Sequence, residues 1–246
     1  MNFIPCNVHP SWNEFLTEEV VQEIHNIEKE IEEKSNMLKD FILLPEEKNI
    51  LIFLTKDLEK VRKIWQGMDP YPETYMENGK ELPVANGRAF WPANAKSWQD
   101  PIKQASLRNI LRNYYNENYG HEEDWRKIKK FSEIRKEIRE GKVQIKEPQE
   151  WFQDLENSGV LFLNTSFSLI KYESGKHKSN ITLWENFTKR LIKYILEKAP
   201  EAKWCIWGTE AKKATEMVPE NKKQISAHPS RCMTDKNNFL KNKDLF

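Results

Sequence analysis

Between residues 12 and 38 the apolar side chains Phe15, Leu16, Val20, Ile24, Ile27 and Ile31 recur at steps of three and four. That spacing lays them along one stripe of an α-helix. Thr17, followed by Glu18 and Glu19, supplies a capping hydroxyl and an acidic first turn. The pattern predicts an amphipathic helix over this stretch. A second helical segment is predicted over 45–54, where Pro45 precedes Glu46 and Glu47.

Four short apolar runs follow, each ending on a turn-forming or polar residue: 61–66 before Gly67, 160–163 before Asn164, 204–207 before Gly208 and 224–227 before His228. Continuous apolar runs of this length read as strands buried on both faces. Helical patterns lie at 105–116, 151–157, 183–198 and 210–217. The alternation predicts an α/β fold, a three-layer α/β/α sandwich around a central four-stranded, mainly parallel sheet. Residues 121–148 are dense in alternating charges, with Trp125, Ile128, Phe131, Ile134 and Ile138 at helical spacing, and read as a charged helical insertion.

Composition narrows the class. At 246 residues and 38% hydrophobic content, with nine Trp and twelve Phe, one domain with its own core is expected. No apolar run approaches the roughly 18 residues of a membrane span, and MNFIPCNVHPSW has no basic-then-apolar signal pattern, so an intracellular, cytoplasmic protein without a membrane partner is expected. Three widely spaced cysteines, Cys6, Cys205 and Cys232, fit neither a disulfide framework nor a thiolate metal site. No metal and no cofactor is expected. A net charge of +1 gives little long-range steering toward nucleic acid, so any such footprint must be local. Lys222, Lys223, Arg231, Lys236, Lys241 and Lys243 gather around one His-Pro-Ser turn; taken alone they read equally as solubilising lysines.

In open parallel sheets ligands bind beyond the carboxyl ends of the strands. The segments there are GMDPYP, NTSFS, GTEAKK and HPSRCM. Singly each has a plain structural reading as a turn or a strand-end cap. Their joint order does not. Gly67-Met68-Asp69-Pro70-Tyr71-Pro72, then Gly87-Arg88-Ala89-Phe90, then Leu161-Phe162-Leu163-Asn164-Thr165, then Trp207-Gly208-Thr209, then His228-Pro229-Ser230 resembles the ordered motifs of family 1 uracil-DNA glycosylases. Ser11-Trp12-Asn13-Glu14-Phe15-Leu16, Ser106-Leu107-Arg108-Asn109-Ile110 and Trp184-Glu185-Asn186-Phe187-Thr188 carry the likeness into parts with no catalytic role, so that it spans nearly the whole chain.

The resemblance implies a monomeric DNA glycosylase that flips one pyrimidine out of single- or double-stranded DNA and hydrolyses its N-glycosidic bond. On that reading Asp69 orients or deprotonates the water and stabilises the sugar cation, while His228 hydrogen-bonds the departing pyrimidine O2. Phe90 stacks on the base, with a core aromatic as its plain alternative. Asn164 reads the Watson–Crick edge through an amide that both donates and accepts, with a strand-end cap as its alternative. Tyr71 presses on C5 to reject thymine, and Met68 lies in the same loop against the base. Pro70, Gly208, Thr209, Pro229, Ser230 and Arg231 lie along the phosphates, where contacts position the strand rather than read it.

Three departures border the pocket. Met68 and Pro72 stand where the family has Gln and His, the 73–86 segment is long and Trp91 follows Phe90, and Cys232 or Met233 takes the place of a wedge leucine. These motivate an alternative, a defence glycosylase excising a bulky hydroxymethylated or glucosylated cytosine. Poxviral relatives, which share the Gly-x-Asp-Pro-Tyr-Pro motif, motivate a third reading, a DNA-binding polymerase processivity component.

Overall fold

In the computed structural model, which describes residues 1–232 and 237–246, the four apolar runs are strands of one sheet. In chain order the elements are α1 (Glu18–Met37), β1 (Ile42–Leu44), β2 (Lys63–Gly67), β3 (Thr74–Glu77), β4 (Lys80–Pro83), α2 (Ala105–Tyr115), α3 (Phe131–Arg139), α4 (Pro148–Asn157), β5 (Val160–Asn164), β6 (Leu169–Tyr172), β7 (Lys176–Ser179), α5 (Ile181–Lys198), β8 (Lys203–Trp207), α6 (Thr209–Ala214) and β9 (Lys223–Ser226). The central sheet runs β5-β2-β8-β9, and all its pairings are parallel. Gly67 lies opposite Asn164 and Trp207 opposite Ser226, so the carboxyl ends of the strands finish level.

Successive residues of a strand face opposite ways, so each central strand feeds two cores. Ile64, Leu161, Leu163, Trp204 and Ile206 face one side, against Val20 and Ile24 of α1 and Trp184, Phe187 and Leu191 of α5. Trp65, Phe162, Cys205 and Trp207 face the other, against Leu107 and Ile110 of α2, Ile134 of α3 and Trp151 and Phe152 of α4. The result is the expected three-layer sandwich, with a central sheet that is parallel throughout.

Local elements depart from the periodic reading where tertiary contacts override it. The first helix begins at Glu18, with the Thr17 hydroxyl accepting the Val20 amide at 3.3 Å. Trp12 instead closes a 3₁₀ turn and donates its indole N–H to the Lys56 carbonyl at 2.7 Å. The segment 45–54 is not one helix. It holds two 3₁₀ turns, Glu47–Asn49 and Ile52–Thr55, broken at Leu51 (φ −109°, ψ 32°). Ile50, Leu51, Phe53 and Leu54 are all buried while Glu47 and Lys48 are exposed, so the second half of this segment is surrounded by core rather than laid on it by one stripe. The charged insertion is helical only over α3; Arg112 of α2 donates to the carbonyls of Lys129 and Ile128, at 2.8 and 3.0 Å, and ties it down.

Two antiparallel units complete the chain. A small sheet of order β1-β6-β7 lies outside the central one, and β3 and β4 pair as a hairpin within 73–86. The hairpin turns on Asn78-Gly79, both at positive φ (51° and 76°), a pair that suits a tight hairpin turn.

Candidate functional site

The level strand ends bring the motif residues to one place. Gly67 ends β2 opposite Asn164, and a methyl group on Gly67 would lie 2.7 Å from Asn164 Oδ1 and 3.1 Å from Phe90 Cζ. The bare Gly67 backbone is therefore the floor between that amide and that ring. Asn164 is 6% exposed, and its side-chain amide makes no hydrogen bond among the described residues. Its polar atoms are not among the fully buried ones left without a partner, so they open onto the site and are free to pair with a ligand; the strand-end cap is not what they do.

Phe90 stands at φ 64°, a backbone region that bulky residues rarely adopt and that costs on the order of 1–3 kcal/mol. Its ring packs 4.7 Å from Trp207 and 5.6 Å from the His228 ring. Tyr71 is fixed behind it. The phenol donates to the Phe90 carbonyl at 3.3 Å and shares a hydrogen bond with Ser106 Oγ at 2.9 Å, and burial pushes its pKa well above the ordinary value.

Asp69 is half-buried in the loop after β2, and its Oδ1 accepts from Ser179 Oγ at 2.6 Å. Burial raises its pKa above the usual carboxylate range, opposed by the hydroxyls of Ser179 and Ser166 and by the charge of His177, while Glu210 adds to the rise. The loop itself is strapped to its neighbour, since the Ser166 amide donates to the Met68 carbonyl at 2.9 Å and the Thr165 amide to the Gly67 carbonyl at 3.0 Å. Met68 points outward and is exposed.

His228 caps a 3₁₀ turn, Pro229–Arg231. The Ser230 amide donates to His228 Nδ1 at 3.2 Å, so Nδ1 holds a lone pair and the neutral ring carries its proton on Nε2. Burial lowers the ring's pKa to about 4, and the nearby Arg231 charge adds to the effect. The imidazole is neutral at pH 7, a hydrogen-bond donor through Nε2. Gly208 stands at φ 102°, a backbone region that favours glycine; a Cβ there would meet His228 Cβ only at an ordinary contact distance, 3.5 Å, so the backbone and not the ring calls for glycine.

The residues expected along a phosphate strand divide. Thr209, Ser230 and Arg231 are exposed and Gly208 half-exposed on this edge, whereas Pro70 and Pro229 are buried. Cys232 is corrected: it is 1% exposed, its thiol lies 2.9 Å from the Pro229 carbonyl, and it packs in the core with Trp207 and Phe239. It is a packing residue beneath the turn and not a wedge. Met233 lies outside the described residues, as does Lys236.

Trp91 is corrected too. It stacks on Phe152 of α4 at 5.1 Å and 11°, donates to Gln149 at 2.7 Å and carries the Arg88 guanidinium over its ring, all in the core layer rather than on a pocket wall. The β3–β4 hairpin meets β6 instead, through Lys171 Nζ to Thr74 and Glu81 at 2.9 and 3.3 Å. A crevice of about 290 Å³ between α5 and α6 is lined by Thr165, Glu185 and Thr188 of the motif stretches but by none of Asp69, Tyr71, Phe90, Asn164 or His228.

Sequence reasoning missed three supporting residues. Ser106 holds Tyr71, Ser179 holds Asp69, and Asn109 Nδ2 donates to the Pro229 carbonyl at 2.7 Å, pinning the His-Pro-Ser turn to α2. Only Ser106 and Asn109 had a signal, as members of the Ser-Leu-Arg-Asn-Ile stretch.

No protein-family model matches the chain. Among curated proteins, a uracil-DNA glycosylase of Azobacteroides pseudotrichonymphae is 25% identical over 235 residues, 94% of this chain and 88% of that protein. One from Christiangramia forsetii is 26% identical over 187 residues, covering 75% and 67%, and one from Helicobacter pylori (strain 26695) is 27% identical over 227 residues, covering 89% and 82%. Among solved structures, a mimivirus UNG variant in complex with UGI superposes with a TM-score of 0.64 at 21% identity, over 91% of this chain and 70% of that one. The UNG from Nitratifractor salsuginis gives 0.61 at 17% identity, over 91% and 85%. These structural likenesses establish the fold.

Proposed function

We propose that this chain, a member of the uracil-DNA glycosylase superfamily, is a DNA N-glycosylase that draws a pyrimidine, uracil foremost, out of the DNA stack and hydrolyses its N-glycosidic bond, leaving an abasic site. One observation carries the reading. An unpaired amide opening from a buried residue, an aromatic ring held at positive φ, a neutral imidazole and a half-buried carboxylate meet on one edge of the sheet.

Each group has a task in such a reaction. The Asn164 amide pairs with the donor and acceptor of a uracil edge while the Phe90 ring takes its face. As the bond from C1′ to N1 breaks, its electron pair stays on the base. The Nε2–H of His228 donates to O2, where that charge gathers, and a neutral donor in a partly dry site strengthens as the charge develops. Asp69 faces the sugar. Its negative charge stabilises the cation at C1′, and it orients the water whose oxygen forms the new bond and whose proton leaves through the carboxylate. Tyr71, locked by Ser106, bars a C5 methyl. Gly208, Thr209, Ser230 and Arg231 border the path of the DNA backbone.

The test is the free base released from a panel of oligonucleotides carrying uracil, thymine or 5-hydroxymethylcytosine, identified by mass. Uracil release is expected, with Asp69→Asn and His228→Ala each lowering the single-turnover rate about ten-fold or more at unchanged DNA affinity. Release of the modified cytosine without uracil would transfer the proposal to a bulky-base substrate. No base from any duplex or single strand would overturn it in favour of a DNA-binding role beside a polymerase.

A further inference from the structure

We infer that Ser179 is the positioning residue for Asp69, donating its hydroxyl proton to one carboxylate oxygen and leaving the other for the attacking water. The inference rests on the glycosylase reading for what Asp69 does, and on geometry for what Ser179 does.

An ionised carboxylate can only accept, so the Ser179 hydroxyl donates its proton to Asp69 Oδ1 at 2.6 Å. The Ile181 amide donates to the same Oγ at 3.2 Å and holds the hydroxyl in place. Ser179 is the last residue of β7 and stands two residues before the first amide of α5. Both neighbours are tied down. Ser179 pairs across the ladder with buried Leu169 of β6, and α5 is locked to the same loop because Asn180 Nδ2 and Trp184 Nε1 both donate to Ser168 Oγ, at 3.0 and 2.8 Å. A short polar side chain on such a frame sets the carboxylate's rotation, and a wrongly rotated base loses rate steeply.

Of the other groups around Asp69, the Ser166 hydroxyl lies close enough to favour the ionised carboxylate, but it is turned to the Ser168 carbonyl, to which it donates at 2.7 Å. His177, two residues back along β7, and Glu210 of α6 act on Asp69 through charge alone. The Ser179 hydroxyl also favours the ionised carboxylate, against burial, so its removal should move the Asp69 titration to higher pH.

The experiment compares wild type with Ser179→Ala and Ser179→Thr by two readouts. The first is the carbon-13 NMR titration of the Asp69 carboxyl in the free protein. The second is single-turnover base release against pH, with DNA affinity measured alongside. Ser179→Ala should raise the Asp69 pKa, shift the acid limb of the rate profile in step with it and slow release at neutral pH about ten-fold, at unchanged DNA affinity; Ser179→Thr, which keeps the hydroxyl, should restore both. An Asp69 titration unmoved by Ser179→Ala would overturn the inference, even if the rate fell. Absence of base release from wild type would sink the glycosylase reading and with it the role given to Ser179.

Discussion

Adding one methyl group at Gly67 tests whether the site was identified correctly. A Cβ there would stand 2.7 Å from Asn164 Oδ1 and 3.1 Å from Phe90 Cζ, distances that force a neighbour to move. The neighbour that yields is the Asn164 amide, the far end of a side chain with no hydrogen bond among the described residues to hold it. Stability should therefore change little. Gly67 is the last residue of β2, with no positive φ for alanine to strain, so a shift of less than about 1 kcal/mol, or roughly 2–4 °C in Tm, is expected. Catalysis should change much more. If the amide makes two hydrogen bonds to the base, each worth about 1–1.5 kcal/mol, Gly67→Ala forfeits about 2–3 kcal/mol, roughly a 30- to 150-fold loss in kcat/KM. Base release under single-turnover conditions and thermal unfolding of the same preparation decide the matter. A variant with wild-type rates would refute the placement of the base above Gly67, and Asn164→Ala combined with Gly67→Ala should cost no more than either alone.

Three further outcomes are expected. Because the folded-state pKa of His228 lies near 4 and the unfolded value near 6.5, the unfolded chain protonates first on acidification. The stability it contributes is whole above pH 6.5 and drains away toward pH 4, with a slope below about 1.4 kcal/mol per pH unit for this half-buried ring; urea midpoints should fall less steeply over that range in His228→Asn, and parallel curves would contradict it. Burial pushes the Cys205 and Cys232 thiols up to about 12 while Cys6 is exposed, so a thiol reagent should label one cysteine in the native protein and three in denaturant; rapid native labelling of Cys232 would return it to the surface. Replacing exposed Arg231 with alanine should lower the salt dependence of DNA binding by about one phosphate contact, and an unchanged slope would place it off the DNA.

The sheet was legible because β2, β5 and β8 are buried on both faces, and continuous apolar runs leave little room for another reading; β9, half-buried at the edge, was read from its place before the His-Pro-Ser turn. The first helix was legible for its stripe but not its start, since Trp12 and Phe15 keep the period while belonging to a turn. The 45–54 segment turns from an exposed first half, Glu47 and Lys48, to a second half buried around Leu51 and Phe53, and carries no single face for periodicity to find. The β3–β4 hairpin did have a local signal, Asn78-Gly79, that the weak alternation around it obscured. Within the site, the strand-end residues could be read because position and chemistry coincide there. Ser179 could not: its partner Asp69 is 110 residues away in sequence, and a serine between a lysine and an asparagine announces nothing. Trp91 misled for the opposite reason, since adjacency to Phe90 along the chain put it across the backbone from the pocket.

Strand order has a bearing on how the site can breathe. The carboxylate loop and Gly208 rise from β2 and β8, the inner strands, each hydrogen-bonded along two edges; Asn164 and the His228 turn follow β5 and β9, the outer strands, each held along one. The end of an inner strand is displaced only if two ladders give way, the end of an outer strand if one does. On that count the amide and imidazole proposed to grip and release the base sit on the more easily displaced strands and the carboxylate after a more tightly held one, and slow amide exchange should run deepest through β2 and β8.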